Sequence, residues 1–297
     1  MQNVFAEDCH QGYQRNGFSE RERGEIQRAE HNLHAARVQY DAYAAFLRVA
    51  DSEYTFRERM ISVENVIEKL RTELREKADE QLRQSGLRFF KESVRMYGMK
   101  SAVVSKIAKT LYKEIGGRKK DNIFGLCEEL WKSGMMEESF VACEWAYSLR
   151  GEYTEDDFAV FERWVEKYVT NWAACDTLCN HTVGSFVERF PAYVDRLKEW
   201  AESENRWVRR ASAVSLIIPA RNGLFRDEIF QIAEKLLIDK DDLVQKGYGW
   251  LLKAACAKHE DDVYQYVLDR KAVMPRTALR YAIEKMPPER KREAMKR

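Results

Sequence analysis

Within TNWAACDTLCNHTVG, residues 170–184, Trp172, Asp176, Cys179 and Val183 fall at i, i+4, i+7 and i+11. On a helix that spacing puts all four on one face. Three of them suit a core, and the fourth is a carboxylate. A carboxylate centred on an apolar face is rarely left unpaired. Two roles are therefore open to Asp176. It is either a structural acid, capping a neighbouring helix or paired with Arg210, or a catalytic carboxylate in a groove with Trp172 as the adjacent wall.

A second arrangement with chemical content lies in DDLVQKGYGWLLKAACAK, residues 241–258. On a helical wheel Val244, Tyr248, Leu251 and Ala255 cluster within about 60° and form a core stripe. Trp250 lies off that stripe, beside Leu243, Lys246, Gly247 and Lys253. It is either packed against a neighbouring repeat or an aromatic platform between two cations that meet phosphates. In NRWVRRASAVSLI, residues 205–217, the core face runs through Trp207, Ala211, Val214 and, just beyond, Ile218. Arg210 stands at the margin of that face, and Arg209 points away. An arginine at the edge of a core is costly unless a carboxylate or phosphate receives it.

The elements that must position these residues are helices throughout. VENVIEKLRTELREKADEQLRQ (63–84) aligns Val63, Ile67, Leu70 and Leu74; SAVVSKIAKTLYKEI (101–115) aligns Val104, Ile107, Leu111 and Ile115. Further units are expected at 120–132, 136–149, 154–168, 170–189, 191–203, 205–218, 224–238, 240–258, 260–271 and 275–285. The breaks between them are polar or carry Gly and Pro, and no β-type alternation is present. The fold class is all-α. Exact self-similarity is absent, but helix pairs of about 35 to 40 residues fit degenerate HEAT-like repeats stacked as an α-solenoid with a concave groove. Residues 1–60 differ. They are rich in Gln, Arg, Glu, Asn and His, and only YDAYAAFLRVA (40–50) suits an amphipathic helix. They read as a weakly ordered N-terminal extension, or as a segment upstream of a natural start at Met60, with residues 61–297 forming the repeat domain.

Composition removes other classes. The 297 residues are 45% hydrophobic and 33% charged, the balance of a soluble helical protein. No apolar run approaches the ~18 to 20 residues of a membrane-spanning helix, and MQNVFAEDCHQ has no secretory signal character. The expected compartment is the cytoplasm, or the nucleoid within it. Net charge is +1, with 8 Lys+Arg against 10 Asp+Glu in residues 1–60 and 42 against 39 thereafter, so any basic surface must come from local clustering. Cys175, Cys179 and His181 raise the question of zinc, but C-x3-C-x-H lacks a second ligand pair. No metal and no cofactor are expected. There is no G-x-S-x-G, G-x-x-x-x-G-K-[ST] or G-x-G-x-x-G.

Taken in order, LRFFKESVRMYGMKSAVVSKIAK, NWAACD, RWVRRASAV and VQKGYGWLLKAACAKHEDDVYQYV resemble the AlkD-type DNA glycosylases, HEAT-repeat enzymes of alkylation repair. The resemblance covers roughly residues 62–290. It implies excision of positively charged N3- or N7-alkylated purines from double-stranded DNA by hydrolysis of the N-glycosidic bond, without a deep base-flipping pocket. It further implies that Trp172 and Trp250 cradle the deoxyribose, that Asp176 is the catalytic carboxylate, and that Arg210 binds the backbone. Lys100, Lys246 and Lys253 would face DNA; Lys253 stands where the family often has an arginine, and Leu243 where an aromatic sits in some members. A monomer is expected, with no membrane partner. Two other functions fit the same helices: a non-catalytic binder of DNA structures, and a protein-interaction scaffold, the latter disfavoured if Lys100, Arg210, Lys246 and Lys253 map to one surface.

Overall fold

A computed structural model of the chain describes residues 66–116 and 118–296. The chain divides into two units, Met1–Ser62 and Val63–Arg297, and every described residue belongs to the second. The expectations for residues 1–60, for the segment 40–50 and for Val63 fall outside the described residues.

The described residues are all-α, and their only β feature is an isolated bridge between Arg95 and Met135. The helices are α1 (66–76), α2 (Glu80–Leu87), α3 (Ser101–Glu114), α4 (Lys120–Lys132), α5 (Met136–Ser148), α6 (Asp157–Tyr168), α7 (Trp172–Thr177), α8 (Gly184–Arg189), α9 (Val194–Trp200), α10 (Arg206–Val214), α11 (Ile217–Arg221), α12 (Arg226–Lys235), α13 (Asp242–Arg270), α14 (Arg276–Ala282) and α15 (Pro288–Met295). None of these is long and apolar enough to cross a membrane. Ile67, Leu70, Leu74, Val104, Ile107, Leu111 and Ile115 are buried as their spacing requires, as are Trp207, Ala211, Val214, Val244, Tyr248, Leu251 and Ala255. Ile218 is only half-buried.

Where helix boundaries depart from periodicity, a specific residue is responsible. The unit expected over 63–84 is broken at 77–79 because Asp79 caps α2, its carboxylate accepting from Leu82 N at 2.9 Å. The unit over 205–218 stops at Val214 because Pro219 has no N–H for the ladder and crowds the carbonyl four residues earlier. That carbonyl, of Ser215, lies against Gly184, where a Cβ would approach it to 2.7 Å. The boundary between 240–258 and 260–271 is a kink rather than a turn: His259 leaves helical geometry (φ −136°, ψ 43°) within α13.

Side-chain bonds between helices recur at one register. Ser105 reaches Glu144, Lys120 reaches Asp157, Trp164 reaches Glu128, Arg196 reaches Glu162, Arg210 reaches Asp176 and Arg226 reaches Asp262, at separations of 39, 37, 36, 34, 34 and 36 residues. A chain in which each helix pair packs mainly on the next produces this regularity. α7 packs on α10, and α10 on α13, so the helices bearing Asp176, Arg210 and Trp250 are consecutive neighbours.

Candidate active site

Asn171 starts α7: its side-chain oxygen accepts from Ala174 N at 2.9 Å, fixing where the first helical turn begins. Trp172 and Asp176 then stand one turn apart. Immediately after Thr177 the backbone widens into a π-helical turn, Leu178–Val183, before resuming as α8; such turns are frequent at functional sites. The face read from sequence therefore divides. Cys179 and Val183 are fully buried, whereas Trp172 and Asp176 are only half-buried.

The pairing left open for Asp176 is formed. Arg210 Nε and Nη2 donate to Asp176 Oδ1 and Oδ2, each at 2.8 Å, a two-pronged contact across α7 and α10. Arg210 Nη1 donates to the carbonyl of Leu243 in the first turn of α13, so one guanidinium ties three helices. Gly247 leaves room for it; a Cβ there would lie 3.4 Å from Arg210 Cγ. The Arg210 side chain is 6% exposed and that of Asp176 15%, so the arginine is the inner member and the carboxylate the outer one. Burial pushes the Asp176 carboxyl above its ordinary range, and Arg210 opposes this only in part.

Trp172 donates its indole N–H to the Phe89 carbonyl at 3.3 Å and stacks on Phe90, ring centroids 5.3 Å apart. Trp250, half-buried on α13, lies one helical turn beyond Gly247. A cavity of about 270 Å³ opens beside it, lined by Arg221, Lys253, Ala254, Cys256, Glu260 and Lys285. Burial pushes the Cys256 thiol up to about 12, so this cysteine is not a thiolate near neutral pH. The two lysines flanking Trp250 are engaged by acids. Lys246 pairs with Asp242 at 3.2 Å; Lys253, 18% exposed, pairs with Glu284 at 2.9 Å and sits over the Tyr281 ring. Arg209 is held by Asp239 at 2.6 Å. Lys100 stands apart: it is the exposed cap residue of α3, and among the described residues no side-chain contact links it to the others. Cys175 and Cys179 are buried in the core, with Cys175 Sγ 3.7 Å from the Trp207 carbonyl.

A protein-family model, DNA alkylation repair enzyme, matches residues 70–286, a span that contains every residue of this site. The chain belongs to the DNA alkylation repair enzyme family. No curated protein matches the sequence. Among solved structures, one titled predicted DNA alkylation repair enzyme from Enterococcus faecalis is similar, with a TM-score of 0.64 at 16% identity, covering 71% of this chain and 98% of that one. At that identity the likeness speaks to the fold alone.

In this member of the DNA alkylation repair family, the residues that sequence reasoning missed hold the segment 88–100 beside Trp172. Glu137, buried in the first turn of α5, accepts the backbone N–H groups of Tyr97, Gly98 and Met99 at 2.9, 2.8 and 3.3 Å. Glu138, equally buried, receives Arg71 at 3.2 Å and the Tyr97 hydroxyl at 2.8 Å. Gly98 takes a φ of +88° that favours glycine, with the Asp79 carbonyl directly behind it. Glu92 pairs with Arg206 at 3.2 Å, and Arg206 also donates to Asp241 at 2.9 Å beside the α13 cap. The sequence carries no signal for Glu137 or Glu138, since two acids in a helix's first turn, as in MEES, are ordinarily solvated.

Proposed function

We propose that this repair enzyme is a monofunctional DNA glycosylase that hydrolyses the N-glycosidic bond of positively charged N3- and N7-alkylated purines in duplex DNA, without drawing the base into a deep pocket. The observation that carries this reading is the outward carboxylate of Asp176 on α7, fixed by Arg210 of α10 and placed one turn from Trp172, with Trp250 on α13, the next helix packed beyond α10. The helix pairs are read as degenerate HEAT-like repeats whose groove takes the duplex. The protein is read as a cytoplasmic monomer that needs neither metal nor cofactor.

The chemistry follows from the leaving group. An N-alkylated purine already carries a positive charge, so the electron pair of the breaking C1′–N bond neutralises it and no general acid is needed. The sugar becomes oxocarbenium-like. Asp176 stabilises that cation and orients the water that attacks C1′, accepting its proton as the C–O bond forms. The faces of Trp172 and Trp250 favour the same positive charge through their ring quadrupoles. Products are the free base and an abasic site. Arg210, buried and occupied, acts here by holding the carboxylate rather than as an exposed phosphate clamp.

Single-turnover release of base from a duplex containing one 7-methylguanine tests this, with wild type beside Asp176→Asn. Release by the wild type, lowered about a hundredfold or more in the variant while duplex binding is kept, is the expected result. Equal release by both sinks the catalytic role of Asp176. A two-pronged ion pair also suits a non-catalytic DNA-structure binder, and that reading prevails if both proteins bind duplex and neither releases base.

A further inference from the structure

Residues 88–92, in the sequence RFFKE, form a strap across all three helices of the site. The Phe89 carbonyl takes the indole N–H of Trp172 at 3.3 Å. Phe90 lies nearly parallel to Trp172, the rings inclined by 18°. Lys91 Nζ reaches Asp242 at the start of α13 at 3.0 Å, and Glu92 reaches Arg206 on α10 at 3.2 Å. The strap is thus tied at each residue from 89 to 92, by the Phe89 carbonyl and by the side chains of Phe90, Lys91 and Glu92, yet the Phe89 side chain itself is 73% exposed. An aromatic ring held in water on a fixed support is not core, and its neighbour Arg88 is exposed with no carboxylate partner among the described residues. The other strongly exposed apolar side chains, Ile238 and Val273, are aliphatic and cannot stack.

We propose that Phe89 is a stacking wedge, placing its ring on a base of duplex DNA at the step beside the damaged nucleotide. This rests on the reading that the sugar of that nucleotide lies against Trp172 and Trp250. Successive nucleotides of one strand are about 3.4 Å apart, so a side chain one bond from a carbonyl held by Trp172 is in reach of the adjoining step. Base–aromatic stacking is tolerant of sequence, as repair of scattered lesions requires. Opening a step is cheapest where pairing is already weakened by damage. Arg88 would meet the flanking phosphate. Phe89 is then a positioning residue: it sets the register that brings the sugar to Asp176 and touches none of the reacting atoms.

The experiment compares wild type with Phe89→Ala, Phe89→Leu and Phe89→Trp, substitutions at a site exposed enough to leave folding intact. The probe is a duplex carrying a stable abasic-site analogue with 2-aminopurine at one or the other adjoining step; release from a 7-methylguanine duplex is measured in parallel. Wild type and Phe89→Trp should alter the 2-aminopurine fluorescence at one step. Phe89→Ala and Phe89→Leu should not, should bind about tenfold more weakly, the effect of losing one stack, and should release base more slowly even at saturating enzyme, because the register that brings the sugar to Asp176 is lost. If Phe89→Ala binds and perturbs the probe as wild type does while base release proceeds normally, the wedge is refuted and the glycosylase reading stands. A wild type that neither binds duplex nor releases base overturns both.

Discussion

Two carboxylates in this chain look alike in outline and differ in what surrounds them. Glu128 and Asp176 each reach across to the following helix pair and each receives an arginine, Arg163 at a separation of 35 residues and Arg210 at 34. Glu128 is also taken by the indole N–H of Trp164 and the hydroxyl of Tyr168, both at 2.6 Å. Glu162 repeats the arrangement with Trp200 at 2.8 Å and Arg196 at 2.9 Å. These are clasps in which an acid is filled with donors and two helices are locked together. Burial, the largest single influence, pushes Glu128 up, but its hydrogen bonds from Tyr168, Trp164 and Arg163 outweigh it and leave the carboxyl below the usual range. Asp176 has Arg210 alone, and burial leaves its carboxyl raised. The tryptophan on its own helix, Trp172, turns its N–H to Phe89 instead of to the acid. A clasp exhausts its carboxylate; Asp176 keeps acceptor capacity for something that is not protein.

The difference can be broken from either side. Asp176→Asn should cost about a hundredfold or more in base release, and because it leaves the buried Arg210 facing a neutral amide the melting temperature should fall as well. Glu128→Ala should lower stability alone. It strands two ring donors and a guanidinium, so unfolding should become easier by about 2 kcal/mol in urea titration, with base release per folded molecule unchanged. If Glu128→Ala lowers the release rate as Asp176→Asn does, the two acids are not functionally distinct and the site has been drawn in the wrong place.

Much of this was legible from spacing alone. The apolar stripes of α3 and α13 predict their buried residues because a helix samples its surroundings every 3.6 residues and the pattern records it. Asp176 stands out as the one acid on its face and Trp250 as a tryptophan off its stripe, and the structure leaves both half-buried; Trp172 reads as part of a core face with Cys179 and Val183, yet it too is only half-buried. What was not legible depends on long separations. Arg210 reads as marginal to a core, yet its burial is decided by Asp176 and by the Leu243 carbonyl 33 residues on. Lys246 and Lys253 read as flanking cations, but Asp242 and Glu284 receive them. Residues 97–99, which follow the strap over Trp172, are held by Glu137, about 40 residues after the N–H groups it accepts, and nothing in MEES distinguishes that acid from a solvated first-turn one. α15 was not anticipated at all, because PERKREAM offers only Ala294 to the core until Met295. The two clasps set Glu, Arg and Trp at similar separations, a likeness that no repeated string announces.

A smaller effect sharpens the comparison on the opposite wall. Trp164 and Trp200 are buried and their N–H groups are committed to acids, whereas Trp250 borders the cavity beside Arg221 and Lys285. Trp250→Ala should slow base release about tenfold through loss of ring contact with the cationic sugar and leave stability nearly unchanged. Trp200→Ala should unfold the protein readily, since it removes a buried indole. Thermal melts beside single-turnover release separate the two, and a Trp250→Ala protein that releases base at the wild-type rate would remove this wall from the site.

The smallest effect is in the pH dependence. Asp176 must be ionised to stabilise the oxocarbenium-like sugar, so release should fall as pH drops through its pKa. Because burial raises that pKa, the acid limb lies at higher pH than an ordinary aspartate would give. Arg210 opposes the rise through its charge and its hydrogen bonds. Arg210→Lys keeps the charge but exchanges a planar two-pronged donor for a single ammonium. The opposition weakens, the Asp176 pKa climbs further, and the limb should move to higher pH. Glu128→Gln, which removes a charge from the clasp between α4 and α6, should leave the limb where it was. Release rates at saturating enzyme across the acid range give both midpoints. A limb shifted by Glu128→Gln but not by Arg210→Lys would assign the titration to some other group and return Asp176 to the company of the structural acids.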